Sequence, residues 1–336
     1  MCLFPVNPFM LIAGCADGVY GVTDIFGSNE CGVEKVLEAE EVYRVRQFES
    51  VDGLFVTAES GLYYSPDGID WTELSVPDGQ VYAVTASPSG ERIYAGTRPA
   101  RVWCAEWSSA NDIDEPGWEA LSGFDEVRTR SDWGIPRHDG VAQVRSLCTH
   151  PSTPDRLVAG VEVGGMYVSE DRGRSWSERR IEGFDAPHTD DVHHVSFEDD
   201  TTLIASTGSG LYRSPDTGRT WDRLDGDHSQ RYFREAFVAD GSTFAGAAPA
   251  SSTSWNTNTD HALFECHDGT ALEAVTSPMP DEVAIGWCAI GDVVVAATHR
   301  GTLLERRSDG WYTLGITVPA DRSLHRYLQL TWYDPR

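Results

Sequence analysis

Apolar residues along this chain come in short bursts with a two-residue alternation, as in Val81-Tyr82-Ala83-Val84 and Tyr94-Ala95-Gly96-Thr97, and polar turns separate one burst from the next. Hardly any stretch carries the spacing of an amphipathic helix, so the pattern predicts an all-β fold built from many short strands. Four kinds of burst recur in a fixed order: one like Val-Tyr-Ala-Val, one like Tyr-Ala-Gly-Thr, one like Gly-Leu-Tyr-Ser, and a short one around Trp-x-x-Leu. Four strands at a spacing of roughly 40 residues make one blade of a β-propeller. Units of this form run over residues 42–74, 81–121, 144–179, 192–224, 233–275 and 285–314. A seventh is split between the termini. Leu11-Ile12-Ala13-Gly14 and Gly18-Val19-Tyr20 match second and third strands, and the tail Leu324-His325-Arg326-Tyr327-Leu328 is expected to supply the missing first strand. Closing the ring this way removes exposed sheet edges, so seven blades are expected, with six as the alternative.

Three copies of a turn sequence anchor the count. They are Ser65-Pro66-Asp67-Gly68-Ile69-Asp70-Trp71, Ser169-Glu170-Asp171-Arg172-Gly173-Arg174-Ser175-Trp176 and Ser214-Pro215-Asp216-Thr217-Gly218-Arg219-Thr220-Trp221. Ser and Asp side chains can bond nearby backbone N–H groups, Gly can adopt positive φ, and Trp is the first large apolar residue of the returning strand. The motif encodes a hairpin turn and no chemistry. The second and third copies resemble the Asp-box, or BNR, repeat of sialidases, the sortilin ectodomain, some endoglucanases and photosystem assembly factors; the first lacks one residue before its Trp. The resemblance implies a folding element on the face away from the ligand site. Nearly the whole chain, including Gly160-Val161-Glu162-Val163-Gly164-Gly165, is similar to sialidase-like BNR propellers of haloarchaea and bacteria, a WD40/YVTN-like class.

Length alone would allow two domains, but no linker rich in Pro, Gly or Ser separates the repeats, so residues 1–336 are read as one propeller domain. Residues 1–9 match no blade and read as a disordered leader. The formal net charge is −27, with Lys35 the one lysine. This resembles the composition of salt-in halophilic archaea, whose acidic surfaces stay hydrated in concentrated salt. Such a charge opposes binding to nucleic acid or to an anionic membrane. Seven scattered cysteines without a Cys-x-x-Cys pair read as free, mostly buried thiols of a reducing cytoplasm.

Two columns of equivalent positions are expected at the mouth of the central channel. Loops between second and third strands contribute Ala16, Glu59, Arg98, Glu162, Gly208, Ala248 and His299. The starts of the innermost strands contribute Tyr43, Tyr82, Arg145, His193, Arg234, Gly286 and His325. Together they form a ring of Arg, His and Tyr suited to an anionic or polyhydroxylated ligand, since guanidinium grips carboxylate or phosphate through paired hydrogen bonds. Salt bridging to nearby acids is the competing reading for each arginine. The insertion 122–143 brings Trp133, Arg137 and His138 as a lid or recognition element; a second, 249–261, is polar around Trp255. The run from His188 to His194 holds three His and two Asp, but His193 and His194 should point to opposite sides of one strand, so no metal centre is expected there.

The expected function is therefore a non-catalytic cytoplasmic binding or scaffold propeller that presents its loop face to a protein partner or a small anionic ligand, without cofactor. The alternative is a sialidase-like glycoside hydrolase, or another small-ligand enzyme, working through the Arg/His/Tyr ring. The Arg-Ile-Pro signature of sialidases is missing from the first blade.

Overall fold

The computed structural model describes residues 10–27, 31–108, 116–134, 139–257, 259–320 and 327–335. They form seven four-stranded antiparallel sheets arranged in a ring, a seven-bladed β-propeller. Blades 1 to 6 occupy residues 42–73, 80–120, 143–179, 192–223, 232–275 and 284–317, within a few residues of the sequence repeats. Blades 5 and 6, which carry no box, still have all four strands.

Blade 7 is closed by the strand Gln329–Tyr333, which takes the innermost place beside Met10–Cys15. The expected closing strand, 324–328, is thus displaced toward the C-terminus. Leu330 and Tyr333 point into the core there, whereas the apolar positions of the earlier segment are broken by charge. Residues 1–9, the expected leader, and His325 lie outside the described residues.

Burial follows from the ring. Second strands are flanked by neighbouring blades on both faces, and Leu203–Thr207 is buried at every position. Outer strands such as Thr72–Glu73 are exposed. Among the described residues the core divides into seven apolar clusters, each spanning one blade-to-blade interface. The recurrent Ala-Gly of the second strand makes this packing possible. A Cβ added at Gly14 would lie 2.5 Å from Val42 of the next blade, at Gly96 2.6 Å from Val144, and at Gly246 2.1 Å from the Ala284 carbonyl oxygen.

The three turn copies fold alike. Ser169 and Ser214 Oγ each accept the N–H of the turn glycine at 2.7 Å, and Asp171 and Asp216 accept backbone N–H groups at 2.8–2.9 Å. These bonds hold both carboxyls below their ordinary range; the Ser175 hydroxyl leads for Asp171, and for Asp216 the bonds outweigh partial burial. In the shorter first copy, Ser65 Oγ receives the Gly68 N–H at 2.8 Å, so the turn tightens by one residue. Trp71, Trp176 and Trp221 pack against the blade clusters.

The insertion after blade 2 opens with a helix, Ser122–Arg130, which the strand pattern does not foretell. It has no side-chain cap, and Phe124 and Val127 hold it against blades 2 and 3. Six cysteines are described and unpaired; Cys15, Cys266 and Cys288 are buried, and Cys31, Cys104 and Cys148 are partly accessible.

Across the channel, charged side chains of the innermost strands meet. Glu235 of blade 5 pairs with Arg44 (3.4 Å) and Arg46 (3.2 Å) of blade 1 and lies 3.8 Å from His194 of blade 4. Arg44 also donates to the His193 carbonyl at 3.0 Å. Burial would raise the Glu235 carboxyl, but His194, Arg46 and Arg44 hold it down at about 2. Burial lowers the Arg44 guanidinium to about 10.

Candidate functional site

On the face opposite the box turns, the channel opens into a cavity of about 980 Å³. Its side chains are aimed by a repeated backbone device. The innermost strands of blades 1 to 4 each carry a β-bulge, and the extra residues are Tyr43, Tyr82, Arg145 and His193; in blade 5 the bulge spans Arg234 and Glu235. A bulge releases one residue from the ladder and re-aims its side chain. In blade 6 the bulged residue is Ile285, and Gly286 instead packs against the Leu328 carbonyl.

Loops complete the walls. Glu59, Arg98, Glu162 and Gly208 line the cavity with Tyr43, Tyr82, Arg145 and Arg234. Ala248 and His299 do not, because the second insertion covers them. Trp255 is fully buried, its ring 5.5 Å from His299, and it wedges that insertion into the core so that Ala250 to Thr253 become the wall. Ala16 lies outside the cavity lining. Trp133 does not reach the mouth either. Its Nε1 donates to the Tyr167 hydroxyl at 2.9 Å, and it borders a separate groove of about 490 Å³ along blade 3; among the described residues of that segment, Gly134 lines the mouth. Arg137 and His138 lie outside the described residues.

The cavity has an aromatic side and a charged floor. Tyr43 and Tyr82 stack with centroids 4.0 Å apart, and Tyr327 meets Tyr43 edge-on at 4.9 Å. Burial first, then the neighbouring tyrosines, push the Tyr43 hydroxyl well above its ordinary range, so it stays protonated. Arg98 sits beside the Tyr82 hydroxyl and has no carboxylate within ion-pair distance among the described residues. Three blades away, Arg234 lies over the rings of Tyr232, Trp255 and Tyr327 and donates to Ser252 Oγ at 2.9 Å.

Arg145 and Glu162 form a buried ion pair, and Gln143 donates to the same Glu162 oxygen at 2.5 Å. Burial would raise the Glu162 carboxyl, but Arg145 outweighs it and keeps the group ionised. Beside this pair, one oxygen each of Glu162 and Asp191 and one ring nitrogen of His193 lie within 4.8 Å of one another, all three residues buried. The loop between them is locked: Gly164 and Gly165 N–H both bond the Asp190 carbonyl, at 3.1 and 3.0 Å. Val163 is held at φ 55°, a strained setting for a β-branched side chain.

His193 and His194 do point apart, one toward Asp191 and the other toward Glu235. What the sequence columns omit is Asp191, Gln143, Tyr232 and Tyr327. Asp191 stands within the His/Asp run, but its partner Glu162 belongs to another blade, and no spacing along the chain joins them.

No family model matches the sequence, and no curated protein matches it significantly. Solved structures do. The GH74 xyloglucanase of Xanthomonas campestris superposes with TM-score 0.58 at 14% identity over 97% of this chain and 56% of its own. The GH74 enzyme of Niastella koreensis gives 0.60 at 12% identity over 82% and 45%. The WD40 β-propeller domain of Doa1 gives 0.56 at 14% over 83% of each chain. These likenesses are of fold. The chain spans 38–56% of the length of three GH74 structures it matches, and no helix among the described residues is long and apolar enough to cross a membrane.

Proposed function

We propose that this protein is a binding propeller that captures an anionic, hydroxyl-bearing ligand or partner group in the channel-mouth cavity. The observation that carries the reading is Arg98: a guanidinium on the cavity wall, beside a tyrosine pair, without an ion-pair partner among the described residues of a chain whose net charge is −27. A carboxylate or phosphate would complete it through paired hydrogen bonds, while Tyr43 and Tyr82 give an apolar face for a ring. Arg234, fixed by aromatic rings, forms the far side of the grip. The turn copies fit Asp-box repeats kept for stability. The acidic, lysine-poor surface and unpaired thiols fit the cytoplasm of a salt-in halophile, where ligands are held by short-range contacts because salt screens the rest.

A hydrolase is the second reading, favoured by the closeness of Glu162 and Asp191. A general acid for glycoside cleavage needs a raised carboxyl pKa. Glu162 is shifted the other way by Arg145, which supports binding over turnover.

A thermal-shift panel of uronic acids, sugar phosphates, acidic peptides and neutral sugars tests the proposal on wild type and Arg98→Ala. An anionic compound that raises Tm in wild type and loses its effect in the variant is the expected result. Glycoside turnover by wild type that disappears in Asp191→Asn would replace the binding reading with the enzymatic one.

A further inference from the structure

Beyond the mouth the channel holds a second cavity, of about 330 Å³, that shares no lining residue with the first. It is lined by positions that follow the bulges on the innermost strands of blades 1 to 4, so it lies deeper, toward the far ends of those strands. Its composition runs against that of the chain. Asp and Glu outnumber Lys and Arg by 53 to 26 overall, yet among the described residues two guanidiniums, Arg44 and Arg46, and no carboxylate border this space. Glu235 is the one acid within ion-pair distance of either among the described residues, and it lines the neighbouring chamber of about 390 Å³ instead. His194 adds no positive charge, because burial lowers its pKa to about 3 and keeps the ring neutral. Two positive charges thus share one negative charge.

We propose that this inner cavity binds an organic monoanion, a carboxylate carried on a small apolar body. Arg46 is the group that meets the carboxylate. Its side chain is 24% exposed against 6% for Arg44. Its Nη atoms bond the Val45 carbonyl at 3.1 Å, Gln329 at 3.5 Å and Glu235 at 3.2 Å, and its Nε makes no hydrogen bond among the described residues. A guanidinium presents its N–H donors in a planar fork, so it can hold a protein carboxylate on one edge and a ligand's on another. Ser196 Oγ, buried on the same wall without a hydrogen-bond partner, is a further donor. Phe48, Leu147 and Phe197 form apolar sides, and mostly apolar walls with a few polar groups to fix orientation are what a small-molecule pocket needs. A dianion such as a phosphate monoester would exceed the single surplus charge.

The probe is 4-fluorophenylacetate, followed by fluorine NMR on full-length protein in about 0.5 M KCl, where exposed charges are screened. Every sample carries Arg98→Ala, so failure of capture at the mouth and failure here are separate results. One saturable site is expected, with affinity reduced roughly tenfold or more by Arg46→Gln and largely kept by Arg46→Lys, which preserves the charge. The neutral 4-fluorophenylacetamide should bind about tenfold more weakly than the anion. Anomalous diffraction from 4-bromophenylacetate should place the bromine against Phe48, Leu147 and Phe197. Absence of saturable binding overturns the proposal. So does equal affinity for the amide, which would mark an apolar cleft indifferent to charge, or a bromine found elsewhere. Should Arg46→Gln lose its native circular dichroism, the amide comparison and the bromine position decide.

Discussion

Replacing Glu235 by glutamine should cost the fold about 3 kcal/mol, because a carboxylate held at about 2 against an ordinary 4.5 contributes some 1.4 kcal/mol per unit at neutral pH. The same figure follows from the geometry. Glu235 is 4% exposed and balances Arg44 and Arg46 at 3.4 and 3.2 Å, and removing one partner of a buried pair typically costs about 3–5 kcal/mol. The sign with pH is fixed. The folded pKa lies below the unfolded one, so the contribution is complete above 4.5 and fades as pH falls toward 2. Urea unfolding followed by tryptophan fluorescence, for wild type and Glu235→Gln, should show the full gap near neutral pH and a narrowing gap below 4.5. Because the group is buried, the gap should be alike in about 0.1 M and about 1 M KCl. A loss under about 1 kcal/mol, or one abolished by salt, would mean that the pairs behave as exposed ones and that the channel crossing is not a fixed element.

Other parts of the fold give equally direct expectations. Gly246→Ala must push blade 5 from blade 6, since its Cβ would lie 2.1 Å from the Ala284 carbonyl oxygen; a loss of about 1–3 kcal/mol is expected by thermal unfolding. Gly117→Ala, with nothing within 4 Å, is the control, and equal effects of the two would refute the packing argument. Trp255→Ala should cost about 3–5 kcal/mol and free the 249–261 segment, so limited proteolysis should cut there in the variant and spare wild type.

The architecture was legible because each blade repeats the same bargain between a polar turn and a buried pair of strands, and because Ala-Gly marks where the next blade must approach. The mouth was legible where the repeat held: Tyr43, Tyr82, Arg145 and Arg234 fell into one column because a bulge recurs at that place, whereas His193, at the same position of blade 4, is fully buried and does not line the cavity. It failed where an element had no counterpart in other blades. The helix Ser122–Arg130 has no cap residue and rests on Phe124, and the Trp255 wedge buries His299 beneath an insertion. Charged residues hid the register of the closing strand, so Tyr327 was not placed at the mouth.

The closing strand also orders events in time. Met10 pairs with Tyr333 and Gly14 with Gln329, so one sheet joins the two ends of the described chain. Until that strand is made, the Met10–Cys15 strand keeps a bare hydrogen-bonding edge, and the apolar cluster containing Leu11 and Ala13 lacks Leu328 and Leu330. Pairing so distant in sequence is slow, because the loss of chain freedom precedes the contacts that compensate it. Six blades can form as synthesis proceeds; the seventh waits for the last turn of the clasp, and with it waits the aromatic side of the mouth, where Tyr327 leans on Tyr43.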